Sequence, residues 1–367
     1  MGDHGNAGVH VDLQARRSVE GGAPERALEP EPEPEPAGLP ETRASTVRLR
    51  RYTQNEVGEG QQLGIKLVHV AAPDDGRFSR TKKQCDLWEY VWAASQMLAD
   101  LLLTVEARGG EKAPLRKLRT LELGCGAGLC SIVAALGGAT VVATDGVADA
   151  TELVAKSAAL NGVSDRIETR PLDWFKLDIV PHEAFDLVIV SDCLIFRGTA
   201  KPVAAAISRA LRPSGIALIS DPYRRPFEEF GDALDAQGLN VELRPFKESR
   251  IASLPVNKEV AEQPGFVQHW GKQKGQLFFV HKPTQASSFN SAPRTGGSQR
   301  SDVGEGASGV VVGAGGAQVQ TPAMAEPSVG PHVCFRSIDE LVELRSVVAS
   351  AVDECCEPDV WHDRSYH

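Results

Sequence analysis

Positive charge is the first thing this chain lacks. Against 39 Lys and Arg stand 49 Asp and Glu, a formal net charge of −10, and the acidic excess lies at the two ends. Residues 1–46 carry four basic and nine acidic side chains and residues 284–367 five and eleven, while residues 47–283 are balanced at 30 and 29. That balance excludes a nucleic-acid surface built on bulk positive charge, and equally a polybasic membrane anchor. No nucleic acid and no membrane are therefore expected among its partners. Seven cysteines (Cys85, Cys125, Cys130, Cys193, Cys334, Cys355 and Cys356) share no regular spacing, so they read as thiols of a reducing compartment and not as a disulfide framework. Neither Cys125 nor Cys130 has a histidine at ligand spacing, and no metal is expected. The opening MGDHGNAGVH lacks the apolar stretch of a secretory signal, and Asn6 stands where a myristoylation motif needs Ser or Thr. The expected location is cytoplasmic or nuclear. Leu123–Thr144 contains no charged residue, but Gly124, Gly126, Gly128, Gly137 and Gly138 interrupt it, as strand, loop and helix do and a membrane span does not.

What is abundant is also uneven. The 35 Gly and 23 Pro point to disordered stretches inside an otherwise ordinary composition of 42% hydrophobic residues. Residues 1–46 read as a disordered, acidic, Pro-rich tail, in which the alternating Glu-Pro run from Glu29 to Pro36 is held extended by fixed proline φ and glutamate repulsion. Residues 284–332, rich in Ser, Gly, Ala and Gln, read as a disordered linker; Val310–Gly316 mimics a nucleotide loop there but no helical periodicity follows it. Residues 333–367 are different. Ser337-x-x-Glu340 is a capping box, and Leu341, Leu344, Val348, Val352 and Cys355 recur at three- and four-residue intervals, which predicts an amphipathic helix. It either docks on the folded domain or serves as a partner-binding element. Cys355 and Cys356 are expected to be exposed.

Residues 47–283 form the folded domain. LRTLELG (118–124), ATVVATD (139–145), RIETRPLDW (166–174), FDLVIVSD (185–192) and GIALISD (215–221) have strand length and β-branched content, and helix-length segments separate them at Leu129–Leu136, Ala148–Asn161 and Ala200–Leu211. Continuous apolar runs, without polar alternation, mean strands covered on both faces, the mark of a parallel α/β sheet. GQLFFVHKP (275–283) reads as a late strand that closes the domain.

The stretch Leu121–Leu129 runs from a strand into Gly124-x-Gly126-x-Gly128 and then into a helix. Glycines there let the backbone turn tightly and approach a cofactor, and the helix N-terminus supplies amides. Glu122 sits just before the loop, and Asp145 ends the next strand, where an acid can accept both ribose hydroxyls. A nicotinamide cofactor uses the same acid, so these residues leave the cofactor class open. His269 and His281 fall on late strands and read as structural, and Cys125 and Cys130 as buried small hydrophobes.

Across roughly residues 60–283 the pattern resembles class I S-adenosylmethionine-dependent methyltransferases. Glu122-x-Gly124-x-Gly126-x-Gly128 is similar to their first motif, Asp145 to their ribose acid, and Asp173-Trp174 to the pair beside the adenine. Within that superfamily the chain resembles methyltransferase family sixteen, the seven-β-strand group whose members mostly modify protein lysines. GIKLVHV (64–70) leads to a helix carrying Val91-Trp92-Ala93-Ala94, similar to that group's cofactor-contacting tryptophan segment, and Leu172-Asp173-Trp174 and Val190-Ser191-Asp192 match two further segments. The group's Asp-x-x-aromatic signature is altered: Ile195 takes the aromatic's place and Phe196 comes one residue late. Asp192-Cys193-Leu194 is closest to the calmodulin-lysine branch, Asp221-Pro222-Tyr223-Arg224 to the branch that modifies flavoprotein lysines.

The resemblance implies a doubly wound, Rossmann-like, seven-stranded and mostly parallel sheet binding S-adenosylmethionine, with Trp92, Glu122, Gly124, Cys125, Gly126, Gly128, Asp145, Asp173, Trp174 and Ser191 as the cofactor-binding set. Asp192 is the implied catalytic acid, orienting a target nitrogen beside an apolar channel that includes Phe196 or Tyr223. The implied activity is N-methylation of lysine on a protein substrate. Two alternatives are a small-molecule N-methyltransferase with a nicotinamide-like substrate and a non-catalytic adaptor that keeps the cofactor fold.

Overall fold

A computed structural model describes residues 42–50, 62–70, 88, 90–196, 198–222, 226–255, 275–284 and 336–360. Its centre is a seven-stranded sheet in the order β5-β4-β3-β6-β7-β9-β8. The strands are β3 (Arg119–Leu123), β4 (Thr140–Asp145), β5 (Ile167–Pro171), β6 (Phe185–Ser191), β7 (Leu211–Pro222), β8 (Asn240–Pro245) and β9 (Gly275–His281). β9 runs antiparallel to both neighbours and the others run parallel. β3 and β6 are buried along their whole length, as their unbroken apolar runs require.

Helices α1 (Ala93–Gly109), α2 (Leu129–Leu136), α3 (Ala148–Leu160), α4 (Ala200–Ala210), α5 (Pro226–Ala236) and the short α6 (Glu248–Ala252) cover the sheet. Two apolar clusters result. One joins α1 and α2 to Leu187, Ile189, Leu218 and Phe279; the other joins α4 and α5 to Val188, Val190, Ala217 and Phe278. Successive strand residues thus feed opposite layers. From β3 the chain winds through β4 to β5 on one side and returns to β6 on the other, so the crevice at the carboxyl ends of β3 and β6 is the switch point of the sheet.

Three readings of the sequence need correction. First, ordered structure begins inside the stretch expected to be a disordered tail: β1 (Thr42–Arg50) pairs antiparallel with β2 (Gln62–Val70). The reason is burial, because Val47, Leu49, Ile65 and Leu67 all lose their solvent exposure. Ser157 of α3 and Asn161 just beyond its end stitch these strands down through Val68 N–H (2.9 Å) and Lys66 N–H (3.0 Å). Second, the third predicted strand stops at Pro171, where Leu172 N–H turns to the Asp145 carbonyl at 2.8 Å and leads the chain away. Third, Cys355 and Cys356 are buried.

The third correction follows from where the last helix goes. Helix α7 (Ile338–Cys355), with its Ser337–Glu340 capping box formed, buries Leu341, Leu344, Val348, Ala351, Val352 and Cys355 in the same cluster as Leu98, Leu101, Leu102 and Val105 of α1. Beyond it, Glu357 N–H bonds Pro245 O (2.7 Å) and Val360 N–H bonds Leu243 O (2.9 Å), so the chain covers the free edge of β8. Burial pushes the Cys355 thiol up to about 11. Among the described residues no helix is long and apolar enough to cross a membrane.

Candidate functional site

The loop from Gly124 to Gly128 joins β3 to α2, and its three glycines have φ of 70°, 47° and 79°. L-residues with side chains rarely adopt such values. The loop is fixed to β4 by Cys125 N–H on Thr144 O (2.8 Å) and Gly126 N–H on Asp145 Oδ2 (3.0 Å). The glycines serve different neighbours. A Cβ at Gly124 would come within 2.5 Å of Cys193 Sγ and 3.2 Å of the Trp174 ring, whereas one at Gly128 would strike Val154 of α3 at 2.6 Å. Gly124 therefore lets β6 and the indole close on the loop, and Gly128 lets α3 pack against the start of α2.

Two carboxyls frame this loop. Asp145 Oδ1 accepts Val147 N–H at 3.0 Å while its Oδ2 takes Gly126, so both oxygens are aimed by backbone. Burial raises its pKa, and the backbone bonds work against that rise. Glu122, only 1% exposed, turns the other way. Its Oε2 accepts the amide (2.9 Å) and the hydroxyl of Ser131 in the first turn of α2. Burial pushes its pKa up to about 8 despite those two bonds. Glu122 thus anchors the helix behind the loop.

Facing the loop is the start of α1. Trp92 is its N-cap, with an extended backbone and its carbonyl accepting Ser95 and Gln96 amides. Ser95 Oγ meets Ser191 Oγ at the end of β6 at 3.0 Å, and Cys130 Sγ reaches Ser95 O at 3.4 Å. Trp92, Ser95, Ser191 and the Gly124–Leu129 segment, with Tyr90 and Val91, line an open crevice. Of the residues expected at the cofactor, Trp92, Gly124, Cys125, Gly126, Gly128 and Ser191 line it directly. Glu122, Asp145, Asp173 and Trp174 do not. Asp173 bonds Phe175 N–H at 3.0 Å in a local turn that presents Trp174 to Gly124. Trp174 Nε1 is buried with no hydrogen-bond partner among the described residues.

The acid after β6 lies one step further along. Asp192 is 5% exposed, has a φ of 58°, and extends the sheet ladder through its N–H on Ser220 O at 2.9 Å. Cys193 follows, its Sγ directed at the carbonyls of Leu123 (3.4 Å) and Ser191 (3.3 Å). Burial, and then the negative charges of Asp145, Asp192, Asp221 and Glu122, push that thiol well above its usual range. Asp145, Asp192 and Asp221 thus bring three carboxyls to the carboxyl end of the sheet, a field that favours a cationic ligand. Phe196 is 54% exposed, and Tyr223 and His269 lie outside the described residues. His281 sits at the far end of β9, paired with Asn240 at 2.8 Å and with its pKa lowered by burial to about 4.

Sequence reasoning missed Ser95, Tyr90 and Asp221. Ser95 was signalled only by standing three residues beyond Trp92, on the same first turn of α1. Asp221 was visible as the acid ending the 215–221 run, without a role.

The residues present fit a nucleoside bearing a cationic group: a glycine-turned cradle, an aimed acid at the tip of the neighbouring strand, an unpartnered indole N–H and a negative surround. A family described as lysine methyltransferase matches residues 78–230. Among curated proteins the chain is 25% identical over 162 residues to protein-lysine N-methyltransferase EFM2 of Saccharomyces cerevisiae, covering 39% of each. It is 28% identical over 157 residues to protein N-lysine methyltransferase METTL21A of Danio rerio, covering 42% of this chain and 69% of that one. To the electron transfer flavoprotein beta subunit lysine methyltransferase of Xenopus laevis it is 30% identical over 146 residues, covering 38% and 54%. The chain thus spans between about two fifths and two thirds of the lengths of these relatives. The family match spans the glycine loop, Asp145, Asp173-Trp174 and Asp192 together, and over that stretch, about two fifths of its length, the chain is similar to lysine methyltransferases.

Proposed function

We propose that this chain is an S-adenosylmethionine-dependent N-methyltransferase whose acceptor is a lysine side chain of a protein. The observation that carries the reading is the placement of Asp192, nearly buried at the tip of β6, next to Ser191 in the crevice and one strand from the glycine loop. When bound, S-adenosylmethionine supplies a methyl group already activated by its sulfonium.

The chain's own residues do the rest. Asp145 accepts the ribose hydroxyls, the Gly124–Gly128 backbone takes the amino-acid half, Trp92 and Trp174 supply aromatic surface, and Glu122 keeps α2 and its amides in place. Asp192 recruits the lysine nitrogen by charge and aims its lone pair. An adjacent carboxylate by itself favours the ammonium form, so loss of the proton is driven by desolvation of the amine as it enters. Catalysis is then mostly alignment of the nitrogen with the carbon–sulfur bond and exclusion of water.

The test is incubation of the full chain with methyl-labelled S-adenosylmethionine in a cell lysate, followed by acid hydrolysis of the macromolecular fraction. N-methyllysine carrying the label is the expected product. Label confined to small molecules would overturn the protein-lysine assignment.

A further inference from the structure

Asp192 holds a left-handed backbone conformation, and something must keep it there. Register places the answer opposite: Ser191 of β6 pairs with Ser220 of β7, so Asp192 and Asp221 follow at the carboxyl ends of adjacent parallel strands. Asp221 is fully buried, and its Oδ2 accepts the Leu194 N–H at 3.1 Å. The turn Asp192-Cys193-Leu194 is therefore held at each residue. Asp192 N–H is on Ser220 O, Cys193 Sγ is on Leu123 O and Ser191 O, and Leu194 combines the Asp221 bond with a side chain that has no solvent exposure. Of these, the Asp221 bond is the one made by a side chain reaching across from another strand. Ile195 and Phe196 do not substitute for it, since Ile195 is only half-buried and Phe196 stands in solvent.

We propose that Asp221 is a positioning residue for methyl transfer: by accepting the Leu194 amide it fixes the turn that presents Asp192 to the acceptor nitrogen. The proposal rests on the lysine-methyltransferase reading. It predicts that the hydrogen-bond acceptor at position 221 matters more than its charge, because asparagine keeps an oxygen for Leu194 N–H and alanine does not.

The experiment compares wild type, Asp221→Asn and Asp221→Ala as full-length chains. Three quantities are read: affinity for S-adenosylmethionine by calorimetry, the initial rate of label incorporation into lysate lysines at varied cofactor concentration, and hydrogen exchange of a peptide spanning Leu194. Asp221→Ala is expected to lower the maximal rate at least tenfold, with cofactor affinity and apparent KM within threefold of wild type, and to speed exchange at Leu194. Asp221→Asn is expected to hold the rate within threefold and to keep the amide protected. Should alanine give no folded protein, Asp221→Ser, whose hydroxyl is too short to reach, takes its place with the same expectation. Equal maximal rates for wild type and alanine overturn the role of Asp221, and so do equal losses in asparagine and alanine. A wild type that binds cofactor yet labels no lysine overturns the broader reading, and this assignment with it.

Discussion

Replacing Glu122 by glutamine isolates the energetic cost of a buried acid behind the cofactor loop. Glu122 is 1% exposed, and burial moves its titration from 4.5 to about 8. Its folded pKa is raised above the unfolded one, so the protonated form is the one the fold prefers. Its stabilising contribution is complete below pH 4.5 and is lost as pH rises through 8. One proton's difference between folded and unfolded states changes stability by about 1.4 kcal/mol per pH unit. Between pH 5 and 8 the wild type should therefore lose on the order of 4 kcal/mol from this group alone. Glutamine mimics the protonated acid: with its oxygen where Oε2 sits it can accept both the Ser131 N–H and the Ser131 hydroxyl, so both links to α2 survive. Urea unfolding of the two proteins at pH 5, 6.5 and 8 is the assay, and the difference between them cancels the other titrating groups. The glutamine variant should gain steadily on the wild type as pH rises. Parallel stability curves would show that Glu122 titrates alike folded and unfolded, and would refute the argument.

Other substitutions test the remaining parts. Asp145→Asn removes the charge and sets an amide donor against Gly126 or Val147 N–H, so cofactor affinity measured by calorimetry should fall at least tenfold; an unchanged Kd would remove Asp145 from the site. Gly128→Ala combines a φ of 79° with a Cβ 2.6 Å from Val154 and should cost about 2–4 kcal/mol in denaturant unfolding. Adding Val154→Ala should recover part of the loss, and strict additivity of the two would sink the packing explanation. Truncation after residue 335 uncovers the seat of Leu341, Leu344, Val348 and Val352, each contributing about 1.5–3 kcal/mol. That sum is comparable with a whole domain's stability, so the shortened chain should show no cooperative thermal transition by circular dichroism.

Legibility followed how local each signal was. The glycine loop could be read because positive φ selects glycine residue by residue, and β3, β4 and β6 because burial on both faces leaves an unbroken apolar run. That same burial hid where Glu122 points: with every residue of β3 covered, alternation no longer distinguishes one face from the other. β1 escaped because TRASTVRLR has only Val47 and Leu49 to bury, and becomes a strand only when β2 lies beside it. β8 is similar, with Val241 and Leu243 alternating with Glu242 and Arg244. Cys356 gave no local sign of burial, since a strand edge more than a hundred residues earlier covers it. The partnership of Asp221 with Leu194 depends on sheet register across 27 residues, a quantity that neither composition nor periodicity encodes.

Helix α1 ties the far end of the chain to the crevice. Its first turn carries Trp92 and Ser95 at the site, and eight residues on from Trp92, roughly 12 Å along a rigid helix, Asp100 is held by Arg250 at 2.9 Å. Arg250 also donates to Thr104 Oγ1 (2.5 Å) and reaches Glu354 of α7 at 3.5 Å, while Arg108 and Lys112 pair with Glu354 and Glu343. The two ends of α1 are not held equally. At the site, the Ser95–Ser191 contact is a single neutral hydrogen bond, about 1 kcal/mol. At the middle, a charged pair with Asp100 only 2% exposed costs about 3–5 kcal/mol to break by removing one partner. Through Arg250 the middle of α1 is thus tied to both α6 and α7, and the C-terminal helix is joined to the helix that begins at the crevice although a long stretch of chain separates it from the rest of the domain.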